Sequence, residues 1–112
     1  VPGGATRQDS VRLGLAALAA LPSPPRLVLI HDGARPFVSP ALVARASAAA
    51  EQNGAAVPAL SVSDTIKEVD GGGRIVATPP RVALRSVQTP QAFQFELIHA
   101  AHMAAEAAAL VN

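Results

Sequence analysis

The chain has 112 residues, half of them hydrophobic and 15% charged, with a formal net charge of +1. That balance fits one folded domain and argues against a disordered chain. Any neighbouring element outside such a small core would leave apolar faces uncovered. There is no Trp, no Tyr, three Phe and no basic run, so neither the stacking groove of a single-strand binder nor the basic stripe of a duplex binder is present, and nucleic acid is not an expected partner. Cysteine is absent, which removes disulfide frameworks and thiolate zinc sites. No apolar run approaches the roughly 20 residues that span a bilayer. The Ala-rich stretch 13–21 lacks a basic leader and does not read as a signal peptide. A cytoplasmic protein with no membrane partner is expected, and both ends read as cut from something longer.

In chain order, Gly3-Gly4 is a loop, and Thr6 or Asp9 can cap the helix that follows, whose stripe is Val11, Leu15, Leu18 and Leu21. Pro22-Ser23-Pro24-Pro25 stops it. Leu27-Val28-Leu29-Ile30 is a continuous apolar run, the mark of a strand buried on both faces, and it empties into the polar loop His31-Asp32-Gly33-Ala34-Arg35-Pro36. Ser39-Pro40 is an N-cap with Pro at the first helical position, and Asn53-Gly54 closes that helix. Residues 55–60 form a second apolar strand. This order is the grammar of an α/β domain with a parallel sheet.

The pattern then changes. Residues 65–69 and 74–77 are short β-like runs joined by Asp70-Gly71-Gly72-Gly73, a hairpin that can serve as an arm or lid. Ser86-Val87-Gln88 is a further strand, Thr89-Pro90-Gln91 a turn, and a last Ala-rich helix starts near Gln94, its pattern running up to Leu110-Val111-Asn112.

The chemistry concentrates on a few positions. Asp32 directly follows a buried strand, and ligands of open α/β sheets bind at that carboxyl edge. A carboxylate there can hold Mg²⁺, or its side chain can cap a turn by accepting from Gly33 or Ala34. Arg35, in the same loop, can clamp a phosphate or pair with the acid. Gly3-Gly4 can present free amides to an anion, and Ser10 can meet a ligand or cap its helix. Thr65 and Lys67 enter the hairpin. Arg81 leaves it on a backbone stiffened by Pro79-Pro80. Glu96, His99, His102 and Glu106 share helical spacing, read as a solvated helix face, and His31 reads as a hydrogen-bonding residue at a strand end. There is no nucleophile–base constellation and no Gly-x-x-x-x-Gly-Lys loop.

Four strings in this order and spacing, namely Gly3-Gly4-Ala5-Thr6-Arg7-Gln8-Asp9-Ser10-Val11, Ile30-His31-Asp32-Gly33-Ala34-Arg35-Pro36-Phe37, Asp64-Thr65-Ile66-Lys67 and Gln88-Thr89-Pro90-Gln91-Ala92-Phe93, resemble the 2-C-methyl-D-erythritol 4-phosphate cytidylyltransferases of the non-mevalonate isoprenoid pathway. In some bacteria that domain is fused to a cyclodiphosphate synthase. The resemblance implies a doubly wound, Rossmann-like nucleotidyltransferase sheet, with residues 1–112 a partial domain incomplete at both ends and a protruding β-arm at approximately 63–88 that embraces a second subunit in a homodimer. It implies attack of a sugar-alcohol phosphate on the α-phosphorus of CTP, with Mg²⁺ as cofactor.

By resemblance, Asp32 is the metal and catalytic aspartate. Gly3, Gly4, Ser10, Asp32 and Gly33 meet the nucleotide. Arg35, Thr65 and Arg81 meet the substrate, Arg81 acting catalytically from the partner's arm. The related enzymes that make CDP-ribitol share much of the pattern, and a non-catalytic module dimerising through the hairpin is the reading from another class. The family's Gly-rich loop with its Arg and Lys, and a later Lys, have no counterpart among these residues, so the isolated chain is expected to be inactive or nearly so.

Overall fold

The computed structural model describes residues 1–109; the sequence pattern carried to 110–112 lies outside the described residues. Helix α1 (Arg7–Ala19) begins where Thr6, in extended conformation, accepts a bond from the Asp9 amide at 3.0 Å. Thr6 is therefore the cap, and Asp9 is an acid in the first turn, favoured by the amide dipoles there. The helix ends three residues before the proline cluster, so Leu21 lies outside it and is exposed, while Leu15 carries the buried contact.

Strand β1 (Leu27–Ile30) leads into the polar loop, and α2 (Pro40–Asn53) starts at Ser39, whose Oγ accepts from the Leu42 amide at 3.1 Å. Gly54 stops α2 at φ +92°, donating to the Ala50 carbonyl at 2.7 Å. A side chain is disfavoured there, and a Cβ would stand 3.1 Å from Leu97 Cδ2. The buried face of α2 is Ala46 and Ala50, small residues that let the helix lie close to the sheet at Ala92, with Leu27, Leu29 and Ala56 packed around them.

The apolar run expected as one strand over 55–60 is two. Strand β2 (Ala55–Ala56) stays with the main sheet and β3 (Ala59–Ser61) leaves it, because Pro58 between them has no N–H for a ladder. The Pro58 carbonyl instead accepts from the Gln88 amide at 2.8 Å, and β3 pairs antiparallel with β6 (Arg85–Val87). Beyond β3, the expected hairpin is present as β4 (Glu68–Val69) and β5 (Ile75–Ala77), shorter than read and irregular in register at Glu68/Val69. Its turn is organised by Asp70, whose Oδ1 accepts from the amides of Gly72 and Arg74, both at 2.9 Å. A 3₁₀ turn, Arg81–Ala83, returns the chain to β6.

The main difference from the sequence reading lies at residues 91–94. Expected as turn and helix start, they form strand β7 (Gln91–Gln94), the middle of the sheet in the order β1-β7-β2, and α3 (Phe95–Ala107) follows at once. Strands β1 and β2 run parallel to each other, as their helical crossover requires, but each pairs antiparallel with β7 between them. A four-residue strand fused to a helix shows no period of its own.

The described buried apolar residues are few: Leu15, Ala46, Ala50, Ala92 and Phe95. The radius of gyration is 16.8 Å, against about 13 Å for a compact domain of this length. The paired strands β3/β6 and β4/β5 are exposed along their whole length and account for that expansion: they stand out from the body as an arm.

Candidate functional site

The site is assembled where β1 ends. Two residues past Ile30, the Asp32 carboxylate emerges 39% exposed. Its loop turns tightly, the Arg35 amide donating to the Asp32 carbonyl at 3.0 Å. The carboxylate is engaged by guanidinium groups, the pairing with the acid that is one of the two options for Arg35: Asp32 Oδ1 accepts from Arg7 Nη2 at 3.2 Å, and Oδ2 lies 3.7 Å from Arg35 Nε. One carboxylate thus faces guanidinium groups from α1 and from its own loop. These pairs are solvent-exposed and contribute little to stability; their content is placement of charge.

The glycine loop reaches the same edge through α1. The Gly4 amide donates to Ser10 Oγ at 3.0 Å, and a Cβ on Gly4 would lie 2.4 Å from Asp9 Cβ, a clash only glycine avoids. Ser10 thus organises the loop, and Arg7, from the first turn of the same helix, ties that loop to Asp32. Gly33 is open on all sides and has no steric demand of its own.

Behind Asp32 stands the segment after β6. Thr89, 8% exposed, accepts from the Asp32 amide at 3.2 Å through Oγ1 and hydrogen-bonds His31 Nδ1 at 3.0 Å. His31 Nε2 bonds the Arg35 carbonyl, and Gln88 Oε1 accepts from Arg35 Nη1. His31 therefore plays the hydrogen-bonding part expected of it. Arg7, Gln88 and Thr89 fall inside the strings that carry the family resemblance, but sequence reasoning gave none of them a role of its own. Their bonds to the Asp32 loop span 25, 53 and 57 positions, and no local pattern encodes such distances.

Beside this network a cleft of about 590 Å³ is lined by His31, Arg35, Phe37, Arg45, Gln88 and Thr89 among others. Of the expected site residues only Arg35 lines it; Gly3, Gly4, Ser10, Asp32, Gly33, Thr65 and Arg81 do not. Thr65 and Arg81 lie on the arm, where Arg81 Nη1 donates to the Ser63 carbonyl and Lys67 Nζ to Thr78 Oγ1 at 2.8 Å. Within this chain, then, Gly3, Gly4, Ser10, Asp32 and Arg35 come together, while Thr65 and Arg81 are carried elsewhere.

No group of three or more His, Asp or Glu side chains suited to hold a metal occurs among the described residues. A lone hard oxygen donor nevertheless suits Mg²⁺, which keeps several waters and takes one or two carboxylates plus substrate phosphates. The α3 residues expected to form a solvated face are partly engaged: His99 stacks on Phe95 at 5.3 Å, Glu106 pairs with Arg12 at 3.6 Å, and His102 Nδ1 is buried without a partner. Burial, then the Arg12 guanidinium and His99, lower the pKa of His102.

The family model for IspD, 2-C-methyl-D-erythritol 4-phosphate cytidylyltransferase, matches residues 1–111. The crystal structure of that cytidylyltransferase from Thermus thermophilus superposes with a TM-score of 0.84 at 46% identity, covering 100% of this chain and 52% of that one. A 4-diphosphocytidyl-2C-methyl-D-erythritol synthase from Anaerococcus prevotii superposes with a TM-score of 0.83 at 38% identity, covering 96% and 48%. The bifunctional enzyme IspD/IspF of Nitrobacter winogradskyi is 63% identical over 100 residues, 89% of this chain and 25% of that protein. An acid at the end of a strand that is half-buried rather than, as expected, buried on both faces, a glycine loop before a helix and a projecting arm define an α/β domain of the nucleotidyltransferase type. Within that class the chain belongs to the 2-C-methyl-D-erythritol 4-phosphate cytidylyltransferase family. It spans about a quarter of the length of the curated relatives it matches and about half of the solved chains.

Proposed function

We propose that the full-length protein carrying this chain transfers a cytidylyl group from CTP to 2-C-methyl-D-erythritol 4-phosphate, giving 4-diphosphocytidyl-2-C-methyl-D-erythritol and pyrophosphate. The observation that carries this reading is the Asp32 carboxylate at the sheet edge, bonded to Arg7 of the glycine-loop helix, with Arg35 of its own loop standing 3.7 Å away. Family membership supports it. The substrate phosphate is anionic at neutral pH and attacks the α-phosphorus directly, displacing pyrophosphate, so no general base is needed. What the reaction asks of the protein is alignment and charge neutralisation.

In this reading the Gly3-Gly4 amides and Ser10 border the nucleotide, Gly33 lets the loop backbone approach it, and Arg35 meets the sugar phosphate. Asp32 would hold Mg²⁺, which supplies positive charge to the phosphate oxygens. The arm makes a homodimer in which Thr65 and Arg81 serve the partner's site; the exposure of the arm strands along their whole length supports that division. No helix among the described residues is long and apolar enough to cross a membrane, and we place the enzyme in the cytoplasm, where its water-soluble substrates are.

Pyrophosphate release by the full-length protein, with CTP, the erythritol phosphate and Mg²⁺, tests the reading. Asp32→Asn is expected to lower kcat/KM by about a hundredfold or more. A full-length wild-type protein without turnover, or an Asp32→Asn enzyme at full rate, contradicts it. Ribitol 5-phosphate offered in parallel reports on the sugar.

A further inference from the structure

Gln88 is held by two independent sets of bonds. Its backbone amide donates to the Pro58 carbonyl at 2.8 Å, which places the chain whatever the side chain is. Its side-chain Oε1 accepts from Arg35 Nη1, while Nε2 reaches Ser86 Oγ at 3.5 Å. The Arg35 guanidinium is thereby divided: Nη1 goes to a neutral amide, while Nε lies 3.7 Å from Asp32 Oδ2, beyond hydrogen-bond length. Arginine and aspartate three residues apart in one loop can close into a two-bond pair, in which acid and base satisfy each other and neither serves a ligand. A neutral acceptor on Nη1 anchors the far end of the guanidinium against the movement that would bring Nε and Nη2 onto the carboxylate, and it adds no negative charge. Both Gln88 and Arg35 line the cleft beside Asp32.

We propose that Gln88 is a positioning residue that holds the Arg35 fork off Asp32 and open to a phosphate group in this cleft. The inference rests on the cytidylyltransferase reading and deepens it: the phosphate is that of the sugar-alcohol substrate, and Gln88 sets its affinity without touching the reacting atoms. An acidic residue of the same shape would pair with Arg35 and compete with the phosphate for it.

The test uses the full-length protein and two variants, Gln88→Glu and Gln88→Ala. Gln88→Glu is expected to raise KM for the sugar phosphate about tenfold, and Gln88→Ala about threefold, with KM for CTP moving less than about twofold in either. Thermal midpoints should match wild type, since the backbone bond to Pro58 remains. A purely structural role predicts the reverse order, with the isosteric Glu harmless and Ala the worse. That order, equal rises in both KM values, or unchanged kinetics overturns the proposal. Binding of inorganic phosphate, titrated by calorimetry, supplies a readout independent of turnover, and it too should weaken most in Gln88→Glu; equal affinities in the three proteins overturn the proposal. Absence of turnover in wild type sinks the functional reading, whereas active wild type with unaltered variants sinks only the role of Gln88.

Discussion

Thr89 shows how much one hydroxyl can organise. Buried behind the loop, it satisfies the Asp32 amide and His31 Nδ1 together. Thr89→Val keeps the shape and deletes both bonds, so it should cost about 1–3 kcal/mol in urea unfolding, because the Asp32 N–H then lacks its partner. The second residue with a measurable signature is His102, whose Nδ1 is buried and unpartnered beside α1. Burial, Arg12 and His99 lower its pKa in the fold; Arg12 itself pairs with Glu106 and Asp9. The unfolded chain, titrating near the ordinary value of about 6.5, then binds more protons than the folded one just below that pH. Stability from this group is therefore full above about pH 6.5 and is lost as pH falls below it toward the folded value. Thermal midpoints measured from about pH 8 to about pH 5 should decline through that window, and His102→Leu should flatten the decline.

At the level of elements, helix ends are the best-specified features. Thr6 and Ser39 each accept a bond from the amide three residues on, and Gly54 terminates α2 at a positive φ. Gly54→Ala should destabilise by about 1 kcal/mol or more, because alanine is strained at the positive φ and meets Leu97 as well; chemical denaturation measures it. Caps and stops were legible because their chemistry is local: a Ser-Pro pair or an Asn-Gly pair does the same thing wherever it stands. Strand β7 was not legible, since Gln91, Ala92, Phe93 and Gln94 gain their strand character only from lying between β1 and β2. The break between β2 and β3 was written in Pro58 and could have been read there.

As a whole molecule the chain is an expanded body with a small core and an arm whose apolar residues, Val69, Ile75 and Val76 among them, face solvent. Such an arm buries its side chains only against another surface, in line with the proposed homodimer. Replacing residues 64–81 of the full-length protein with a short Gly-Ser linker should convert dimer to monomer in light scattering and remove activity. The isolated 112-residue chain, matching 52% of a solved relative, should show little or no pyrophosphate release, because the charges that flank the triphosphate must all be in place at once.

Taken by itself, the sequence settled the α/β order, the start and stop of the second helix, the hairpin with its glycine turn, and the acid that follows the first apolar run; the structure chose Thr6 over Asp9 as the first cap. Each rests on contacts within a few residues, or on an apolar period that any fold must bury. The tertiary structure alone decided that β7 divides the two parallel strands, that Arg7 and Arg35 share one carboxylate, that Gln88 and Thr89 brace the loop from behind, and that Arg81 stands apart from its own chain's cleft. Those outcomes depend on which distant segments meet at one sheet edge, and closing a chain over 25 to 58 positions leaves no local trace in the residues it joins.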